Sequence, residues 1–288
     1  MLEIKGTDPS YEALRVPSNS YARECREAFL RLWSIAHPYL DDDLTQRAAS
    51  SMQAAFWEIH VAAALLEAGA SVVPRDQRTP KRMGPDLFCA SPRVWVEATA
   101  VTPGTGADAV PEGELGVARS VPDDQILLRI VQAIEEKKRR WKAYLERGWV
   151  GEADPYIVAV NSGVLPSGKA ELQLPRIVRA VFAVGHRTVS LDRRSGRATD
   201  EYYQFRPEIV KKSGASVSVA LFEDDTSREV SACLYSITDA FNPPRSLIGS
   251  MVLVHNPHAN APLERGKFPG VQEYWADGEF LVCPGNRA

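Results

Sequence analysis

Cysteine is scarce in this 288-residue chain, and its distribution excludes the most recognisable metal sites. The four cysteines, at positions 25, 89, 233 and 283, form no CxxC or CxH pair, so the sequence predicts no zinc site. Cys89 and Cys233 stand in apolar runs, where cysteine packs as a small hydrophobic residue. Structural disulfides are therefore not expected in the reducing compartment that we assign to this protein.

Long apolar runs and a secretory leader are also absent. No hydrophobic stretch approaches the length needed to cross a bilayer, and the first residues lack the basic start and apolar region of a signal peptide. We therefore expect a cytoplasmic protein with no membrane partner. A homodimer is compatible with the sequence, which carries no signal for oligomeric state.

An excess of positive charge is likewise missing, since the formal net charge is −3 and the isoelectric point is about 6.0. This excludes the broad basic surface of a protein that coats nucleic acid. It does not exclude a metal-dependent nuclease, because the ligands of its metal are themselves acidic. Charge therefore leaves nucleic acid open as a partner.

Hydrophobic periodicity predicts helices followed by a small sheet in the first part of the chain. Three aspartates at positions 41–43 precede a helical pattern, and we expect them to cap its start. The predicted elements are helices over residues 21–37 and 44–67, and strands over residues 70–73, 86–90 and 93–101.

Residues 102–123 then form a long segment rich in Gly, Pro and Ala, which we predict to be a lid or substrate-contacting loop because it follows the 93–101 strand directly. Further on, the pattern predicts helices over 124–147 and near 175–184, a hairpin turn at 193–196, and strands over 156–161, 216–222, 230–238 and 250–254.

The fold class expected from these elements is mixed α/β, with a central mixed sheet flanked by helices and a β-rich C-terminal part. We divide the chain into an N-terminal helical segment (1–43), a core (44–162) and a C-terminal α/β extension or second subdomain (163–288). The pattern does not decide whether the last part extends the same sheet.

Two carboxylates face each other in the segment from Gly84 to Ala100. If the chain reverses at Ser91-Pro92, Asp86 opposes Glu97, while Leu87, Cys89, Val94 and Val96 form a wholly apolar opposite face. Carboxylates directly across a strand pair repel each other, and a divalent cation is the simplest compensation. The turn is expected to be slightly wider than two residues, because proline suits its second position poorly.

Glu58 supplies a third carboxylate. It lies at the edge of the apolar stripe of the helix over residues 44–67, where its side chain can face a cleft between helix and sheet. The alternative is a solvated flank residue. Considered together with Asp86 and Glu97, it is better explained as part of one site.

A helix glutamate, a short strand, Pro85-Asp86 and the strand VWVEATA, in that order, resemble the PD-(D/E)xK superfamily of restriction-endonuclease-like proteins. The resemblance covers about residues 50–162. It implies a restriction-endonuclease-like core at 44–162 and a Mg²⁺ or Mn²⁺ ion held by Asp86, Glu97 and the Ala98 carbonyl, with Glu58 assisting. It also implies hydrolysis of phosphodiester bonds in nucleic acid, with DNA favoured over RNA.

Thr99 stands where the superfamily has its catalytic lysine, and a hydroxyl cannot supply that positive charge. Lys137 and Lys138 on a later helix, or Lys81 and Arg82 before the motif, are candidates to replace it. Without such a group, the chain is expected to be a catalytically silent nuclease-like fold that binds nucleic acid or protein. The catalytic set predicted for an active enzyme is Glu58, Asp86, Glu97 and Thr99.

Two other motifs have weaker interpretations. Gly163–Lys169 nearly matches a phosphate-binding loop, which leaves a nucleotide-triphosphate enzyme as a third hypothesis, but Ala170 replaces its hydroxyl and a tight turn is the better explanation. His255 and His258 could bind metal or act in acid–base chemistry, although such a pair in a turn is more often structural.

Overall fold

The computed structural model describes residues 1–78, 83–113, 116–171, 174–278 and 280–283. The chain begins with four helices: α1 Pro9–Arg15, α2 Ser20–Ala36, α3 Leu44–Ala48 and α4 Met52–Glu67. Side chains before the first two helices satisfy their free N–H groups: Asp8 accepts from Ser10 and Tyr11, and Asn19 accepts from Ala22. The predicted helix over residues 21–37 is confirmed in α2.

The single helix predicted over residues 44–67 is wrong, because the chain breaks between α3 and α4. Ser51 leaves the helical conformation at the break, and the Asp8 carboxylate, 44 residues earlier, accepts from the backbone N–H of Met52 at 3.0 Å. The start of α4 is therefore capped by a distant residue. A sequence pattern that reports only local periodicity does not contain that contact.

The three aspartates before α3 do not cap it, contrary to prediction. Asp43 occupies the position before the helix without a capping hydrogen bond, and its side chain instead accepts from Arg47 at 3.1 Å. Asp41 forms an ion pair with Arg75, whose N–H group lies 2.5 Å away. These carboxylates therefore fix nearby arginines.

In the part of the chain that the structure describes, seven strands form one mixed sheet. In sheet order they are β1 Leu87–Ala90, β2 Arg93–Ala100, β3 Tyr156–Asn161, β8 Ala232–Ser236, β9 Val252–His255, β10 Gln272–Asp277 and β11 Phe280–Val282. Helix α5 Asp123–Glu146 lies between β2 and β3 in the chain. The pairs β2–β3, β3–β8 and β9–β10 are parallel, and the others are antiparallel. The predicted mixed α/β class with a central mixed sheet is confirmed.

The C-terminal part contributes four strands to that sheet and two separate hairpins. After helix α6 Arg176–Val181, the strands are β4 Val184–Leu191, β5 Ala198–Phe205, β6 Glu208–Val210, β7 Ser216–Ser218, β8 Ala232–Ser236, β9 Val252–His255, β10 Gln272–Asp277 and β11 Phe280–Val282. β4 pairs with β5 and β6 with β7 outside the central sheet. Residues 232–282 therefore extend the sheet that β1 to β3 begin.

Two predicted strands are shorter in the structure. Residues 70–73 form only an isolated bridge between Val72 and Cys89, so this segment touches the edge of β1 without becoming a full strand. The strand predicted over 216–222 ends at Ser218, because the chain then turns to bury Leu221 and Phe222. Apolar side chains in those positions fill the core from a loop.

The core has two layers, one on each face of the sheet. One layer joins α4 to the faces of β1 and β2 that carry Leu87, Cys89, Val94 and Val96, each of them fully buried. In the other, α5 packs on Trp95 and on alternate residues of β3. Every residue of β3 is buried, as expected for a central strand covered by helices on both faces.

Helix α5 is held at its first turn by arginines from the C-terminal part. Asp123 accepts from Arg176 at 3.0 Å and from Arg179 at 2.8 Å, and Asp124 accepts a two-bond contact from Arg206 at 2.7 Å. These ion pairs fix α5 at the end away from Tyr144. Together with the sheet beneath it, they determine where the later residues of the helix lie.

Candidate active site

Asp86 and Glu97 lie where β1 begins beside β2. The observed pairs Leu87↔Val96, Phe88↔Trp95 and Ala90↔Arg93 have the register that the sequence predicts. The turn contains only Ser91 and Pro92, so the prediction of a wider loop is wrong. Because β1 starts at Leu87, Asp86 stands immediately before the ladder, opposite Glu97.

Asp86 is held by one backbone donor and one side-chain donor. Its Oδ2 atom accepts a hydrogen bond from the Ala98 N–H at 2.7 Å, and its own carbonyl accepts from Arg78 at 2.6 Å. The preceding Gly84 has a φ of +89°, which a residue with a side chain adopts only with strain, and this turn aims Pro85-Asp86 at β2. The Ala98 N–H and carbonyl lie beyond the last β1–β2 pair, beside this carboxylate.

Glu97 is almost completely buried, with 1% of its side chain exposed, yet it is surrounded by donors from α5. Its Oε1 atom lies 3.0 Å from Lys137 Nζ and 3.3 Å from an Arg140 nitrogen, and its Oε2 atom accepts from the Tyr144 hydroxyl at 3.2 Å. Burial, followed by the charge of Asp86, raises the pKa of Glu97 against the opposing effect of Lys137. This carboxylate would therefore gain from a further cation.

Glu58 is buried, so the alternative of a solvated flank residue is wrong. Arg47 from α3 donates two hydrogen bonds to it, at 2.7 and 2.9 Å. Burial of the carboxyl and the charge of Asp86 raise the pKa of Glu58 to about 7, even though Arg47 acts in the opposite direction. Asp86 therefore lies near enough to both glutamates for its charge to raise their pKa values.

Of the four basic residues considered as replacements for a lysine at position 99, the structure places Lys137 at the carboxylates. Thr99 is half-buried on β2, beside Val160 of β3. Lys138 faces elsewhere, since its Nζ atom donates to Ser227 and Glu135. Lys81 and Arg82 lie outside the described residues.

Arg47 and Arg78 contact residues of the candidate site without having been identified from the sequence, and the sequence did not predict the bonds from Arg140 and Tyr144 to Glu97. Lys137, Arg140 and Tyr144 recur at intervals of three and four residues, which places them on one face of α5. That spacing could have identified them. A stripe of polar side chains on a helix that covers a sheet needs polar partners on the sheet. Arg47 and Arg78 had no such signal, because their partners lie on other elements.

The chemistry of the donors fits a Mg²⁺ ion bound mainly through Asp86 and Glu97. Magnesium is usually held by one or two carboxylates and keeps several waters, and a carbonyl such as that of Ala98 is an acceptable oxygen ligand. Across the described ranges, no group of three or more His, Cys, Asp or Glu side chains is arranged to hold a metal ion. The ligand role of Glu58 stays a prediction, and its carboxylate is held by Arg47.

The weaker motifs have structural partners. Lys169 forms an ion pair with Asp239 at 2.5 Å, and α6 begins only at Arg176, so no helix starts at this lysine as a phosphate-binding loop requires. His255 lies 3.2 Å from Glu273. The described residues between 102 and 122 contain neither helix nor strand, and Asp123 already begins α5. Arg129 holds the start of this segment by donating to the Thr102 carbonyl at 2.8 Å. Its role as a lid stays a prediction.

Comparison with known proteins gives no assignment: no family model, no curated protein and no solved structure matches this chain. Among the described residues, no helix is both long and apolar enough to cross a membrane. The geometry of the site therefore has to carry any argument about function.

Proposed function

We propose that this protein is a metal-dependent phosphodiesterase that cleaves nucleic acid, DNA in preference to RNA, with a restriction-endonuclease-like core. The observation that carries the proposal is the position of Lys137, whose Nζ atom lies 3.0 Å from Glu97 Oε1 although the lysine side chain is 8% exposed. A buried cation on α5 thus lies beside Glu97, two residues before Thr99 on the same strand. This supports replacement of the superfamily's lysine by a residue from another element.

In this proposal Asp86, Glu97 and the Ala98 carbonyl hold Mg²⁺ or Mn²⁺. When bound, such an ion lowers the pKa of a water ligand and stabilises negative charge on the phosphate. Lys137 donates from Nζ to the attacking water or to a phosphate oxygen, while Arg140 and Tyr144 keep Glu97 in place. Glu58, whose pKa is raised to about 7, positions the water and can accept its proton near neutral pH.

Calorimetric titration with Mn²⁺ tests the metal site in three proteins: the wild type, Asp86→Asn and Glu97→Gln. Both substitutions are expected to abolish binding, because each removes one of two anionic ligands. The same samples, incubated with plasmid, single-stranded DNA and RNA, test the substrate class. Carboxylate-independent metal binding would contradict the proposal.

Lys137→Met and Lys138→Met form a matched pair for the proposed catalytic cation. Both lysines are buried on α5, but only Lys137 contacts Glu97. Lys137→Met is expected to keep Mn²⁺ binding and to lose cleavage by about 10²- to 10³-fold, the usual effect of removing one charge-stabilising donor. Lys138→Met is expected to retain cleavage, with melting temperatures confirming that both variants fold. Equal losses in the two variants would contradict the role of Lys137.

A catalytically silent binding module remains the second candidate, and one observation favours it. Each carboxylate already has a donor inside the protein: Arg47 for Glu58, Lys137 for Glu97 and the Ala98 N–H for Asp86. Such pairing can stabilise the carboxylates without a metal. This candidate predicts that Asp86→Asn leaves nucleic-acid binding unchanged and that neither Mg²⁺ nor Mn²⁺ supports cleavage by the wild type.

A further inference from the structure

A pocket of about 570 Å³ lies on the face of the β1–β2 pair that also carries Asp86 and Glu97, although neither carboxylate lines it. Phe88 and Trp95 line it. They lie two residues from Asp86 and Glu97 along their strands, and residues two apart in a strand point to the same face. Phe88 is two residues from Asp86, or about 7 Å along the strand. Trp149, in the loop after α5, forms part of the wall. A guest in this pocket would thus be adjacent to whatever the carboxylates hold.

The aromatic groups of the pocket are held in place by specific contacts. The rings of Phe88 and Trp95 have centroids 4.4 Å apart, and Trp95 Nε1 donates to Asp154 at 3.1 Å. Trp149 stacks on Tyr144 with centroids 5.9 Å apart. Because Tyr144 also bonds Glu97, this second aromatic pair connects the pocket wall directly to the carboxylate site. Flat, fixed rings of this kind are suited to stacking against another planar group.

Positive charge surrounds these rings. The guanidinium of Arg93 lies 5.2 Å from the centroid of Phe88, and that of Arg147 lies 4.9 Å from the centroid of Trp149. Arg78 is buried in the wall and adds a further guanidinium group to the lining. The lining carboxylate, Asp154, is already paired with Arg93 at 2.7 Å. The charge balance therefore favours a guest that is both planar and anionic.

A nucleotide has both properties, and we propose that this pocket receives one unpaired nucleobase of a strand whose backbone passes over Asp86 and Glu97. The inference rests on the proposed function and adds a preference to it: single-stranded or locally unpaired DNA should bind better than intact duplex. Stacking on an aromatic surface is tolerant of base identity, so the pocket selects for accessibility of a base more than for sequence.

The test compares Trp149→Ala with Trp275→Ala. Trp275 is a matched control because it is also half-buried and also carries an arginine, Arg265, at 4.6 Å from its ring, but it lies in a different pocket. Binding of a fluorescein-labelled 12-nucleotide single strand and of its duplex is measured by anisotropy without divalent metal. Trp149→Phe, which keeps an aromatic ring, is measured alongside, and melting temperatures confirm folding.

Trp149→Ala is expected to weaken single-strand binding by about 5- to 150-fold, the usual effect of losing one stacked base, while Trp149→Phe and Trp275→Ala stay close to wild type. The proposal for this pocket would be contradicted if both alanine substitutions weakened single-strand binding equally, or if the wild type did not bind the single strand. Trp149-dependent binding without Mg²⁺- or Mn²⁺-dependent cleavage would defeat the nuclease proposal and leave the pocket standing. Cleavage that is unchanged by Trp149→Ala would defeat the pocket proposal and leave the nuclease proposal standing.

Discussion

The pKa of Glu58 leads to a quantitative expectation for the stability of the whole protein. Its carboxyl is buried beside Asp86, and these two influences raise its pKa from 4.5 to about 7. Glu58→Gln keeps the size of the side chain and removes its titration. The pH dependence that separates the wild type from this variant therefore belongs to Glu58 and to the groups coupled to it.

A carboxyl with a higher pKa in the folded state binds its proton more tightly there than in the unfolded chain. The associated stability is fully present below pH 4.5 and is lost as the pH rises through about 7. The rise in pKa corresponds to a loss of about 3 kcal/mol. Most of that loss falls between about pH 5 and pH 8.

Urea unfolding at these two pH values, followed by tryptophan fluorescence, measures the effect. Between pH 5 and pH 8, the free energy of unfolding of the wild type should fall by about 2–3 kcal/mol more than that of Glu58→Gln. Glu27→Gln, which changes an exposed glutamate on α2, should instead follow the wild type. Parallel pH profiles for the wild type and Glu58→Gln would refute the assignment of a near-neutral pKa to Glu58.

Three further substitutions have expected outcomes. Arg47→Met removes the partner of Glu58 and should lower the free energy of unfolding by about 1–3 kcal/mol at pH 8 but less at pH 5, where Glu58 is protonated; urea unfolding at both values checks this. Trp57→Phe loses the 2.9 Å hydrogen bond to the Ala159 carbonyl and should cost about 1–3 kcal/mol in the same assay. Lys169→Ala breaks only a half-exposed ion pair, so stability should change by less than about 1 kcal/mol; calorimetric titration should detect no ATP binding in the wild type or the variant.

The carboxylate pair was predictable because its register is a local property. Two strands joined by a short turn can pair in few ways, and the apolar face of Leu87, Cys89, Val94 and Val96 selects one of them. The strand at Tyr156–Asn161 and the helix before it were also predicted closely, since a buried run and a clear helical stripe precede any tertiary contact.

The environment of the carboxylates was not predictable in the same way. Arg47 reaches Glu58 only because the chain breaks before Met52, and that break depends on Asp8, which is distant in sequence. Lys137, and not Lys138, contacts Glu97 because of the orientation of α5 about its own axis, which only the folded structure reveals. Such contacts follow from the packing of elements far apart in the chain, which hydrophobic periodicity alone does not encode.

The anchoring of α5 gives the C-terminal region a part in the geometry of the carboxylates. The helix has 24 residues and is about 36 Å long, with arginines of the C-terminal region at one end and the donors to Glu97 in its second half. A chain shortened after residue 162 would leave Asp123 and Asp124 without those arginines and would expose the edge of β3. Arg176, Arg179 and Arg206 thus help to position α5 and, through it, Lys137, so shortened forms should misplace that amine before they lose the carboxylates.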